Sequence, residues 1–236
     1  MAPAAFFDLD GTLLSTSSAR LYVQYLRRRP KGKTPFDRMP FSAIFKLAWY
    51  QILYNANRID LERVALQSVR PLKGHPERAM IDLCRTWFEE MVASFIRPEM
   101  PALISAHRQA GHEICVLTAA TPYVTRPLCE RLGIGHWIAS ELEVVDGTFT
   151  GDVVRPLCFG RSKIELAGRW AASRGVDVKQ SWFYTDSITD LPMCEAVARP
   201  ILVSPDRRLR KEGQRRGWPI LDLDGRSPFT APDLAR

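Results

Sequence analysis

In AAFFDLDGTLLS, residues 4–15, a run of small and apolar side chains leads into two aspartates, Asp8 and Asp10, and then a Gly-Thr step. On an extended backbone that spacing projects both carboxylates to one side. Two carboxylates held close repel, so the pair is costly or partly protonated unless a positive charge is near. A divalent cation removes the problem. Mg2+ in particular takes oxygen ligands, and holds phosphate oxygens with one or two carboxylates and several waters. Further carboxylates, Asp186 and Asp190, stand in YTDSITDLP. Lys163 offers the positive charge that an arriving phosphate needs, and Thr118 a hydroxyl with turn N–H groups after it.

Each of these residues also has an ordinary reading. An Asp at a strand end before Gly-Thr is often only a turn or a helix cap. A single lysine can be a surface residue, and a single threonine a satisfied core hydroxyl. A helix-loop-helix calcium site is excluded at Asp8. It would follow a helix, need Gly where Leu13 stands, and end with Glu at Ala19. The near-repeat PILDLDGRSP, residues 219–228, places Asp222 and Asp224 in a similar setting. It has Arg226 in place of the Thr, and only 12 residues follow Asp224, so it reads as a terminal strand or turn.

The elements that must hold these groups alternate from residue 98 onward. HEICVLTAA, SWFYTDS and RPILVSP read as buried strands, and PEMPALISAHRQAG, PYVTRPLCERLG and SKIELAGRWAASRG as helices closed by Gly. HWIASE adds a strand, DLPMCEAVA a short helix, and LEVVDGTFTGDV a hairpin turning at Asp146-Gly147. With AAFFDLD as the first strand, the pattern is α/β: a Rossmann-like, mostly parallel sheet with helices on both faces. Asp8, Thr118 and Asp186 each fall at or just past a strand end. In such sheets the ligand crevice lies beyond the carboxyl ends of the strands.

Residues 16–95 differ. SARLYVQYLRR, FSAIFKLAWYQILYNA, DLERVALQSV and PERAMIDLCRTWFEEMVASFI all carry helical periodicity, broken at RPKGKTP, NRID and RPLKGHP.

Composition bounds the rest. The chain has 236 residues, 46% hydrophobic and 25% charged, enough for one large domain or one domain with an insertion. No stretch reads as a transmembrane helix or signal peptide. The five cysteines are scattered, which predicts reduced thiols, a cytoplasmic location and no cysteine metal site. The net charge of +7 is concentrated in RRRPKGK (27–33) and RRLRKEGQRR (207–216). Both read as solvated runs, with peripheral contact to a membrane or an anionic substrate as the sharper alternative. No nucleic-acid module accompanies them.

In order and position, four segments resemble the motifs of the haloacid dehalogenase superfamily of phosphatases. DLDGT looks like the first, VLTAAT the second, CFGRSK the third and YTDSITDLPM the fourth. The likeness covers nearly the whole chain. The helical insertion directly after the first motif resembles the phosphoserine-phosphatase-like subgroup, with a core at 1–15 and 96–236 and a helical cap at 16–95. The resemblance implies that Asp8 attacks phosphorus and that Asp10 serves as general acid and then base. Mg2+ would be held by the Asp8 carboxylate, the Asp10 backbone carbonyl and the Asp186 carboxylate. Asp190 would support the metal waters or orient Lys163, and Thr118 and Lys163 would bind the phosphoryl oxygens. The activity implied is Mg2+-dependent hydrolysis of a small-molecule phosphomonoester through an aspartyl-phosphate. The alternatives are a phosphotransferase of the same fold, or a non-catalytic basic protein binding a membrane surface or a partner.

The chain departs from the phosphoserine enzymes at two places. They carry Glu nine residues after the nucleophile, where this chain has Ser17, and Asn before the last Asp, where it has Thr189. The segment at 41–56 is rich in aromatics (Phe41, Phe45, Trp49, Tyr50, Tyr54), which fits either packing between cap helices or an apolar or aromatic leaving group.

Overall fold

A computed structural model describes residues 2–28 and 61–223. Strand β1 (Ala4–Phe7) runs into a wide turn over Leu9–Leu13, followed by helix α1 (Ser18–Arg28). After the described residues resume come α2 (Leu61–Val69), α3 (Glu77–Glu90) and α4 (Met100–Gln109). The alternating half then follows: β2 (Glu113–Leu117), α5 (Pro122–Leu132), β3 (His136–Ile138), and the hairpin β4 (Leu142–Val145) and β5 (Thr148–Val153). Last come α6 (Ser162–Ala172), β6 (Trp182–Thr185), α7 (Leu191–Ala196), β7 (Arg199–Val203), α8 (Arg207–Arg216) and β8 (Ile220–Leu221).

Six strands pair in parallel in the order β3-β2-β1-β6-β7-β8, which puts β1 at the centre. Side chains alternate between two cores. Phe7, Val116, Tyr184 and Val203 face one side, with Leu103 and Ile104 of α4. Phe6, Leu117, Phe183 and Leu202 face the other, with Ala167 of α6, Met193 of α7 and Leu209 of α8. A parallel sheet covered on both faces is what near-continuous apolar strands require.

The hairpin forms where Asp146-Gly147 predicts it, with both residues at positive φ (50° and 70°), as a tight turn demands. The basic run at 207–216 is helix α8. Asp206 caps it by accepting from the N–H groups of Arg208 and Leu209. Leu209 is buried, while the arginines pair outward, Arg215 and Arg216 with Glu212 and Arg216 also with Glu195. Among the described residues no helix is long and apolar enough to cross a membrane.

The helical segment meets the rest of the chain at two places. Where it leaves and returns, the chain lies beside itself: Leu14 bridges Ile96, Ser15 N–H donates to the Phe95 carbonyl (2.9 Å) and Arg97 N–H to the Leu13 carbonyl (3.0 Å). Further on, the stretch before α3 joins the hairpin. Gly74 N–H donates to the Phe149 carbonyl, Phe149 N–H to His75, and Glu77 N–H to Gly147, while the Tyr123 hydroxyl donates to Glu77 (2.9 Å). The aromatic stretch at 41–56 and Asp224 lie outside the described residues.

Candidate active site

The first strand is shorter than AAFFDLD suggests. It ends at Phe7, where the ring stacks on Tyr184 of the neighbouring β6 (centroids 4.5 Å apart). Asp8 N–H still donates to the Tyr184 carbonyl (2.9 Å), so Asp8 sits at the carboxyl edge of the sheet. Beyond it the backbone turns, with Gly11 at φ 70°. Asp8 and Asp10 therefore do not project side by side from one extended strand. Asp8 points toward Lys163 and Asp10 toward α1.

Lys163 comes from the first turn of α6 and is 2% exposed. Its ammonium donates to Asp8 Oδ1 (2.9 Å) and to Asp190 Oδ2 (2.7 Å). The same Asp190 oxygen accepts from the Thr185 hydroxyl (2.7 Å). The two carboxylates hold the lysine pKa above its ordinary value, outweighing burial. Asp8 is nonetheless raised, because burial and the charges of Asp190 and Asp10 exceed the relief from Lys163.

Asp186 follows β6 directly. Burial first, and then the charges of Asp8, Asp190 and Asp10, push its carboxyl up to about 8. It rests on Gly11: a Cβ there would lie 2.0 Å from Asp186 Oδ2, so only glycine fits, quite apart from its positive φ. Asp206 fixes the loop from behind, donating its N–H to the Asp186 carbonyl (2.8 Å) and accepting from Ile188 N–H (2.7 Å). Asp10 is also raised, by burial, while its oxygens accept from the Ser18 N–H (2.7 Å) and hydroxyl (3.1 Å) at the start of α1.

Thr118 directly follows β2, whose register with β1 sets it beside Asp8's end of the sheet. It is buried, and its oxygen accepts from Ala120 N–H (3.1 Å), which leaves its proton to donate. The structure thus bonds Asp8, Lys163 and Asp190 to one another and sets Asp10 and Asp186 within electrostatic reach. Thr118 stands at the adjoining strand end. Asp222 is elsewhere, in an ion pair with Arg210 beyond β8.

Four carboxylates around one lysine leave an excess of negative charge, which adds to burial in raising Asp8 and Asp186, while burial alone raises Asp10. Among the described residues no three acidic, histidine or cysteine side chains close on a common point as a ready-made metal cage. The carboxylate and backbone oxygens at this edge are of the kind Mg2+ takes, completing its shell with water and phosphate oxygens.

Residues 5–195 match the family described as haloacid dehalogenase-like hydrolase. The chain belongs to that family. Among this hydrolase's relatives, the histidinol-phosphatase of Neisseria meningitidis serogroup C is 29% identical, over 94% of this chain and 100% of its own. The phosphoserine phosphatase SerB1 of Mycobacterium tuberculosis is 30% identical, over 94% of this chain and 71% of its own. A crystal structure of a protein with unknown function from Bordetella pertussis Tohama I superposes with a TM-score of 0.82 at 28% identity, covering 94% of this chain and 99% of that one.

Sequence reasoning passed over Thr185 and Ser18 around the hydrolase site. Thr185 was legible, since it sits within the fourth motif directly before Asp186. Ser18 is an ordinary helix-start residue whose partner, Asp10, only the turn reveals.

Proposed function

We propose that this hydrolase is a Mg2+-dependent phosphatase of small phosphomonoesters, working through an aspartyl-phosphate on Asp8. The observation that carries the reading is Asp8 itself: a buried carboxylate at the centre of the sheet's carboxyl edge, held through one oxygen by a lysine buried more deeply still. Matches to relatives named as phosphatases support it.

In the first half-reaction a carboxylate oxygen of Asp8 bonds to phosphorus as the P–O bond to the leaving alkoxide breaks. The Asp10 carboxyl, kept protonated more readily by its burial, gives the alkoxide its proton. In the second, Asp10 takes a proton from water, the hydroxide bonds to phosphorus, and the Asp8 carboxylate leaves. Lys163 and the Thr118 hydroxyl donate to the phosphoryl oxygens, whose charge dominates the transition state. When bound by the Asp8 and Asp186 carboxylates and the Asp10 carbonyl, Mg2+ supplies the charge that neutralises the cluster and the phosphoryl group. Residues 16–95 form the cap, inserted into a core of 1–15 and 96–236, in keeping with the paired crossing at Leu14 and Ile96.

The leaving group is read from Ser17. Where phosphoserine enzymes hold the substrate ammonium with a carboxylate, this chain offers a short neutral hydroxyl. A lost charge-assisted hydrogen bond costs roughly 1.5–3 kcal/mol, about one to two orders of magnitude. Phosphate release should therefore be Mg2+-dependent with p-nitrophenyl phosphate, and kcat/KM for phosphoserine should fall below that for monoesters with apolar or aromatic leaving groups. Metal-independent release would count against the proposed cofactor. Phosphoserine as the best substrate in the panel would count against the leaving-group reading.

The raised carboxyls give a second expectation. Asp186 goes from an ordinary 3.8 to about 8 in the metal-free fold. Between those values the folded state binds a proton that the unfolded state does not, so metal-free stability falls as pH rises. Asp8, also raised, acts in the same sense. The melting temperature should thus drop from about pH 6 to about pH 8 without metal, and Mg2+ should raise it more at the higher pH. An equal Mg2+ shift at both values would show that these carboxyls do not meet the ion.

A further inference from the structure

We infer that Arg97 is a positioning residue for the catalytic turn, clamping the Gly11 carbonyl and the segment just after β8 to the point where the cap segment re-enters the core. The inference rests on the reading of Asp8 as nucleophile.

Arg97 belongs to none of the four motifs. Its side chain crosses a long sequence distance to act. The backbone N–H donates to the Leu13 carbonyl (3.0 Å), tying the returning chain to the departing one. The guanidinium, in a residue only 8% exposed, donates through Nη2 to the Gly11 carbonyl (3.1 Å) and through Nη1 to the Leu223 carbonyl (2.8 Å). A planar fork presents its donors at fixed angles and so sets the spacing of two carbonyls from separate segments, which an ammonium on a flexible stem does not fix.

The turn held this way is the floor of the site. Gly11 lies directly under the Asp186 carboxylate, with no room even for a methyl group, and follows Asp10. A shift of the Gly11 carbonyl must move the surface on which Asp186 rests and the peptide next to Asp10. The charge of Arg97 also reaches the cluster: burial lowers its pKa, and Glu99 and then Asp186 offset part of that cost. Nε is buried without a partner among the described residues, so the side chain is not placed there merely to satisfy its own donors. What it gains is the geometry of two carbonyls, one of them in the first motif.

The test uses Arg97→Lys and Arg97→Ala in the full chain, with p-nitrophenyl phosphate and saturating Mg2+. A misplacement of about an ångström costs on the order of a hundredfold in rate. We expect kcat to fall about ten- to a hundredfold in both variants with KM little changed, and the rate of Asp8 phosphorylation in rapid acid quench to fall in step. Added guanidinium should restore part of the Arg97→Ala rate and none of the Arg97→Lys rate, because only the former leaves the pocket open. A structural role alone would lower the melting temperature and leave kcat per folded molecule, and its response to guanidinium, unchanged. If Arg97→Ala does not fold, Arg97→Lys decides: a reduced kcat supports the inference, and wild-type kcat overturns it. Wild-type rates of Asp8 labelling in the variants would sink the clamp alone. Absence of label on Asp8 in the unaltered enzyme would instead sink the reading beneath it.

Discussion

Asp8→Asn should abolish turnover, by about four orders of magnitude or more, while the protein stays folded. An amide is nearly isosteric with a carboxylate but is no useful nucleophile. The structural side of the expectation is less obvious. Removing one partner of a buried ion pair ordinarily destabilises. Here, however, Lys163 keeps Asp190, and the cluster loses one of its mutually repelling carboxylates. Burial already raises the Asp8 pKa in spite of the lysine, so ionising Asp8 is a cost to the metal-free fold at neutral pH. The asparagine variant should therefore melt no lower than the parent at about pH 8 without metal. Residual turnover near the parental rate would remove Asp8 from the mechanism. A large loss of melting temperature would mean that its ion pair is worth more to the fold than the crowding costs.

The opposite balance holds for Lys163→Met, and the effect on stability should be the larger. The lysine is the sole cation bonded to Asp8 and Asp190 among the described residues, and it is almost wholly buried. Its removal strands two buried carboxylates, which costs about 3–5 kcal/mol. For a chain of this size that is on the order of 10 °C in melting temperature. The sign of the pH dependence follows. Without the lysine the folded Asp8 carboxyl titrates higher still, so the native state holds a proton that the unfolded state has released. The deficit against the parent should then grow as pH rises through about 7, where the parent's Asp8 ionises and the variant's does not, and shrink below it. Activity should fall as well, by about two to three orders of magnitude, as for the loss of one transition-state donor. A deficit that does not change with pH would show that the lysine contributes packing rather than charge.

What was legible in the sequence is the placement of polar residues at one edge of the sheet. Asp8, Thr118, Lys163, Asp186 and Asp190 are short-range signals, each fixed by a strand or helix whose apolar pattern is local, and they arrive at one edge because the strands are parallel. The hairpin was legible for the same reason, since Asp146-Gly147 must take positive φ in any tight turn. What was not legible depends on partners that the local apolar pattern does not specify. The early end of β1 follows from a turn closed by its own backbone, where the Leu14 N–H donates to the Leu9 carbonyl (2.9 Å). The divergence of Asp10 needs Ser18 as a partner. Arg97 reads as a boundary residue until Leu223, 126 positions away, is brought against it. The basic stretch at 207–216 keeps its arginines outward, as a solvated run, but Leu209 within it seats a helix on the sheet.

The aspartyl-phosphate is the claim on which the rest turns. The direct measurement is to mix the enzyme with a radiolabelled phosphomonoester and Mg2+, quench in acid within the first turnover, and map the label by proteolysis and mass spectrometry. The account requires acid-stable, hydroxylamine-labile label on the peptide that contains Asp8, and none in Asp8→Asn. Label on any other residue, or sustained turnover with no covalent intermediate under single-turnover conditions, would contradict it.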